Sequence, residues 1–301
     1  MKETTQEKIK DWFQYLQDTV CADLEKLDGK STFQEDLWQR EEGGGGRSRV
    51  IKSGDLIEKG GVNFSAVFGR TPKKILSALK LDKADFFASG VSIVLHPSNP
   101  WVPIIHMNIR YFEMSNGIWW FGGGIDLTPH FIIKEKAREF HQAIKETCDK
   151  HSPSYYSEFK KWADEYFFIK HRNETRGIGG IFFDRISAEE GFTKQQRWEF
   201  VREVGEAFLP IYTRAISDVR EREWTDDQKE WQKIRRGRYV EFNLVYDKGT
   251  QFGLDTKGRT ESILMSLPPE VCWEYDHQPK TDTQKETLSL LKKNINWIRI
   301  V

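Results

Sequence analysis

The chain has 301 residues, with 46 Lys or Arg against 46 Asp or Glu, so its formal net charge is zero. That balance lacks the basic excess of a nucleic-acid binder or a membrane-surface protein. Three cysteines, Cys21, Cys148 and Cys272, stand far apart with no CxxC pair, which argues against a disulfide scaffold and a cysteine-held zinc or iron–sulfur site.

No apolar run approaches the roughly 20 residues of a membrane span. The opening MKETTQEKIKDWF has no signal-peptide core and is too acidic for a transit peptide, so a cytoplasmic location is expected. Ile9, Trp12, Phe13, Leu16, Val20, Leu24 and Leu27 predict an amphipathic helix. EEGGGGR (41–47) reads as a break in regular structure, either a linker or a loop that moves over a site. The period then changes to two. Residues 62–68, 88–95, 104–113 and 117–121 predict strands, with Pro97, Pro100 and Pro103 in a connecting loop.

Ile133, Ala137, Phe140, Ile144 and Cys148 mark one further helix, and Phe159, Trp162, Ala163 and Tyr166 another. IGGIFFDRI (178–186) reads as a buried strand. A helix is expected from Thr193, ended or kinked by Pro210. YVEFNLVY (239–246) alternates like a strand, SILMSLP (262–268) follows a GRT turn, and residues 283–301 read as helical. This order is no regular βαβ alternation. It predicts an α+β fold, a large, mostly antiparallel sheet with helices on both faces, in a single domain over 1–301.

On 104–113 one face carries Ile104, His106, Asn108, Arg110 and Phe112, and the other Ile105, Met107, Ile109 and Tyr111. If this strand pairs with 88–95, then Ser92, His96, His106, Asn108 and Arg110 gather on one sheet face. A solvated face is the plain alternative to a lined pocket. Asp126 follows WWFGGG, where it is either a functional carboxylate or, with Thr128, a helix cap. Arg235, Arg236 and Arg238 of RRGR and Arg259 of TKGRTES are read as loop arginines that anchor carboxylate or phosphate, or form surface salt bridges. His96, His106, His141 and His171 make a widely spaced metal-ligand candidate set.

The segments GGVNFSAVFG (60–69), ASGVSIVLHPSNP (88–100), HMNIRYFE (106–113), WWFGGGIDLTP (119–129), FKKWADEYFFIKHRNETRGIGGIFFD (159–184), RRGRYVEFNLVYDKGTQFGL (235–254) and GRTESILMSLPP (258–269) carry a family likeness. In order and spacing, across nearly the whole chain, they resemble the oxygen-dependent coproporphyrinogen III oxidases. The resemblance implies a flat antiparallel sheet between helices, and a homodimer formed through about 239–275. It implies oxidative decarboxylation of two propionates of coproporphyrinogen III to vinyl groups, an oxidoreductase step of haem biosynthesis. Molecular oxygen is then the co-substrate, no organic cofactor is used, and a divalent metal is left open.

By position, the resemblance implies catalytic roles for His106, Asp126 and Arg110, with His106 as proton donor and Asp126 near the pyrrole nitrogens. It implies substrate binding by Ser92, Asn108, Ile109, Arg110, Lys257, Gly258 and Arg259, and metal binding by His96, His106, His141 and His171. Ile125, His130 and Lys257 depart from the family pattern. Two rivals stand beside this reading: a tetrapyrrole carrier without chemistry, and an RNA-binding module that uses RRGR. Neutral net charge counts against the second.

Overall fold

The structure is a computed structural model that describes residues 4–71, 76, 83–255 and 258–300. Helix α1 (Gln6–Asp28) opens the chain. Thr5 caps it by accepting from the Lys8 N–H, and Gly29 ends it in the left-handed region at φ 79°. Seven strands follow in one antiparallel sheet of order β1-β2-β3-β4-β5-β6-β9. They are β1 (Gln34–Gln39), β2 (Gly44–Lys52), β3 (Ile57–Arg70), β4 (Asp85–Pro97), β5 (Ile104–Met114), β6 (Trp119–Thr128) and β9 (Gly179–Ile186). A two-strand hairpin, β7 (Phe168–Ile169) with β8 (Glu174–Thr175), stands apart from it.

One face of the sheet is core. Val91, Ile93, Ile105, Met107, Ile109, Phe121 and Ile125 are buried there against α1, α2 (Lys134–Asp149) and α4 (Lys194–Ile216). Gly205 lets α4 come close: a Cβ there would sit 2.7 Å from the Trp12 ring and 2.9 Å from Ile109 Cδ1. Helix α3 (Tyr155–Tyr166) packs beside β9. The other face is covered at one end by α5 (Asp226–Val245), where Tyr239 packs on Val94 and Ile104. Two short helices, α6 (Lys248–Asp255) and α7 (Thr260–Leu264), follow α5, and α8 (Asp282–Leu290) closes the order. The fold is α+β with helices on both faces. None of its described helices is long and apolar enough to cross a membrane.

Several expectations need correction. Glycines 44–46 lie in strand β2, not in a break: Gly45 and Gly46 pair with both β1 and β3, and Gly44 pairs with β3. A side chain at Gly46 would meet the Trp38 ring at 2.4 Å and the Phe64 carbonyl at 2.5 Å. Strand β6 likewise runs on through Gly122–Gly124 to Asp126 and Thr128. Asp126 is therefore no helix cap, and the N-cap of α2 is Ile133, with no side-chain bond.

YVEFNLVY is the end of α5, a helix started by the Thr225–Gln228 capping box. Arg235, Arg236 and Arg238 sit inside that helix and not in a loop. Residues 260–264 are helical, α4 runs past Pro210 to Ile216, and the tail helix stops at Leu290 before a short 3-10 turn at 297–299.

Candidate active site

Antiparallel register sets the site. His106 faces Asp126 across β5 and β6, Asn108 faces Gly124, and Arg110 faces Gly122. On the β4 side Ser92 faces Asn108 and Gly90 faces Arg110. Side chains alternate, so all of these share the face away from the core. Glycines 90, 122 and 124 keep this face low between taller side chains, a shallow trough whose space over Gly122 is taken by the Arg110 and Asp184 side chains, 3.0 and 2.7 Å from where a Cβ would stand.

At one end stand Phe86, Phe112 and Trp120, stacked at 5.9 Å and 4.2 Å between centroids. One side is closed by the α7 segment, where Ser262 bonds Ser48 and Asn63 at 2.7 Å and Met265 lies over Gly61. On the other, Phe182 stacks on Tyr166 at 4.1 Å.

The far end is chemically the richest. Asp126 is 2% exposed. Its Oδ1 lies 2.6 Å from His106 Nδ1, and its Oδ2 accepts from Arg176 Nη2 at 2.7 Å. The β7–β8 hairpin delivers Arg176, whose backbone N–H bonds the Phe167 carbonyl at 2.8 Å. The guanidinium is enclosed by Phe167, Tyr239 and Phe242, 4.4, 4.6 and 4.8 Å from the ring centroids, and Nη1 donates to Asn243 at 2.8 Å. Burial alone would push the Asp126 carboxyl up, but Arg176 and His106 outweigh it and hold it below the usual carboxylate range. Asp126 is an anion, and His106 Nδ1 must be the donor to it. The His106 side chain is 21% exposed, so it is the member of the set that reaches the trough.

Asn108 and Arg110 line the trough floor with Ser92, and Arg110 bonds Asn108 at 3.2 Å and Asp184 at 2.6 Å. Ile109 is a correction: its side chain is fully buried on the core face, so alternation removes it from the trough. Gly258 is exposed, and Arg259 pairs with Asp36 on β1, the edge strand four positions from β5. Lys257 lies outside the described residues.

The four histidines do not converge. His96 bonds the Ser266 carbonyl beneath α5. His141 is buried on α2, bonded to Tyr156 and the Ile178 carbonyl, and burial lowers it to about 3 despite that carbonyl. His171 bonds Tyr246 and Glu241, both ring nitrogens engaged. Among the described residues no three His, Cys, Asp or Glu side chains form a metal-sized cluster, so a single-chain four-histidine centre does not fit.

The Coproporphyrinogen III oxidase family model matches residues 8–297. The chain belongs to the coproporphyrinogen III oxidase family. It is 47% identical to coproporphyrinogen-III oxidase 1, chloroplastic, of Arabidopsis thaliana, over 94% of this chain and 76% of that protein. It is 45% identical to the oxygen-dependent coproporphyrinogen-III oxidase of Prochlorococcus marinus strain MIT 9312, over 98% and 93% of the two chains. The oxygen-dependent coproporphyrinogen-III oxidase of a second Prochlorococcus marinus strain is 46% identical, over 94% of this chain and 89% of its own.

Within this family chain, sequence reasoning gives no role to Arg176, Asp184, Tyr239 or Asn243. Arg176 has one available signal, its place directly before the GIGG entry to a buried strand. The α5 residues have none, because that stretch reads as a strand.

Proposed function

We propose that this chain is an oxygen-dependent coproporphyrinogen III oxidase, which converts two substrate propionates to vinyl groups and gives protoporphyrinogen IX. Each conversion releases CO2 and removes two electrons, which dioxygen accepts. The observation that carries the reading is the buried Asp126–His106–Arg176 set at the end of a glycine-floored trough, in a chain that matches this family over 8–297.

Asp126 accepts from the His106 Nδ1–H, which fixes the tautomer and orientation of the imidazole and turns Nε2 toward the trough. His106 then meets the ring nitrogens and exchanges protons there, with Asp126 acting through it rather than touching the ring itself. Charge-assisted bonds of this kind contribute about 1.5–3 kcal/mol each. Arg110 takes a propionate, with Ser92 and Asn108 beside it. Oxygen adds to the electron-rich ring as a peroxide, which takes a propionate β-hydrogen; CO2 leaves, its C–C electron pair forms the vinyl double bond, and the ring C–O bond breaks to release hydrogen peroxide. No step is assigned to a metal, because the histidines present do not form one centre. Turnover is expected to persist in rigorously metal-free protein; loss on chelation with recovery on adding a divalent cation would reverse that view.

A homodimer through about 239–275 belongs to this reading. Leu244, Val245, Phe252, Leu254, Trp273 and Tyr275 are exposed in that stretch, a concentration of apolar surface that favours a partner. Cytoplasmic action is also part of it, and the three cysteines are free.

The test is direct. Protein mixed with coproporphyrinogen III in air should consume oxygen and yield protoporphyrin fluorescence after oxidation. Tight binding without oxygen uptake would identify a carrier instead.

A further inference from the structure

Strand β9 has an irregular register. Phe121 pairs with Ile186 and Gly123 with Phe183, so Asp184 and Arg185 together oppose the single residue Gly122. Arg185 takes up the extra residue at φ 53°, a left-handed conformation that L side chains seldom adopt. The bulge changes where side chains go. Phe182 and Asp184 are on the trough face, and Phe183 is fully buried in the core. Unbroken alternation would turn Arg185 into the core and Ile186 outward. Instead Ile186 is buried, and the Arg185 guanidinium lies over the Trp120 ring, 5.7 Å from its centroid.

The other guanidiniums of the site have carboxylate partners: Arg176 has Asp126, Arg110 has Asp184, and Arg259 has Asp36. Arg185 has no anionic partner among the described residues. It stands one side-chain row from Arg110 along the trough, about 7 Å for two strand residues. Arg185 is exposed, and its cation–π contact with Trp120 leaves its N–H edge open to an anion.

We propose that Arg185, turned into the trough by the β9 bulge, grips a carboxylate arm of the substrate at the aromatic end and so sets the orientation of the macrocycle. This rests on the coproporphyrinogen reading of the same trough. In this proposal the arm it holds is one of the two that remain propionates, one row along the trough from the arm at Arg110. Phe86, Phe112 and Trp120 then pack against the apolar edge of the same ring.

The experiment uses Arg185→Gly and Arg185→Lys in the full chain. Glycine suits φ 53° better than arginine, so Arg185→Gly should fold with an unchanged or raised melting temperature. It should nevertheless raise KM for coproporphyrinogen III about tenfold, with kcat changed less than about twofold, because an arm held equally in ground and transition states moves KM. Arg185→Lys should recover part of the loss. Binding of coproporphyrin, the oxidised tetracarboxylate, read by fluorescence quenching, should weaken in parallel. Unchanged KM and unchanged coproporphyrin affinity in a well-folded Arg185→Gly protein would overturn the assignment. If the unsubstituted chain neither turns over coproporphyrinogen nor binds coproporphyrin, the functional reading itself fails.

Discussion

Asp126 illustrates how one side chain carries both stability and chemistry. Its charge is matched by a guanidinium that is itself 3% exposed. Removing one partner of a buried ion pair leaves the other uncompensated, at a cost of about 3–5 kcal/mol. Asp126→Ala should therefore lower unfolding free energy by about that amount in urea titrations and abolish turnover. Asp126→Ala with Arg176→Met removes both charges and keeps a long apolar stem between Phe167, Tyr239 and Phe242. That double variant should regain most of the stability and none of the activity. Recovery of turnover with stability would show that the carboxylate serves the fold alone. His106, legible from strand alternation, is in the site; Arg176, on a separate hairpin, can be found only where the chain brings it.

At the scale of elements, the departures from expectation share a cause. Glycine reads as a breaker, yet in β2 and β6 it is selected by close approach across a sheet paired on both sides. Gly46→Ala tests this. The added methyl would press on the Trp38 ring and the Phe64 carbonyl, and overpacking of this kind costs about 1–3 kcal/mol. The expected result is a lower melting temperature with KM little changed, because β1 and β2 lie away from Asp126 and His106. An unaltered melting temperature would mean that the strand tolerates side chains there.

Helix α5 hides from sequence reading for a different reason. Polar side chains share its contacts with Tyr239: Gln232 and Arg236 both donate to the Pro97 carbonyl at the end of β4, at 3.0 and 2.8 Å, and Asn243 accepts from Arg176. Its buried positions mix Trp231, Ile234, Tyr239, Val240 and Phe242 with Gln232, Arg235, Arg236 and Asn243, so polar residues interrupt the stripe of period 3.6 and the alternation of its last turns is what stands out.

Over the whole molecule, buried neutral histidines set a pH response. Burial drives His96 and His130 well below 6.5, with the Arg236 charge adding to it, and takes His141 to about 3. The unfolded chain therefore binds protons that the folded chain refuses. Their contribution is whole above about pH 6.5 and is lost as pH falls towards the folded values, at about 1.4 kcal/mol per pH unit for each histidine that stays neutral. Urea unfolding at pH 7 and pH 5 should show the drop, and His141→Gln should reduce its slope. A flat profile would mean that these rings take up protons while folded.

Fold class, the strands β3, β4, β5 and β9, the start of β6, the core face of β5 and the family are legible in the residues alone. Those follow from local periodicity and from ordered motifs, which need no knowledge of where distant segments meet. Packing of distant segments is what matches Asp126 with Arg176, sets α5 over one end of the trough, and keeps four histidines from separate elements apart. Each of those outcomes depends on packing between segments far apart in the chain, where the geometry of contact, and not the spacing of residues, fixes which groups become partners.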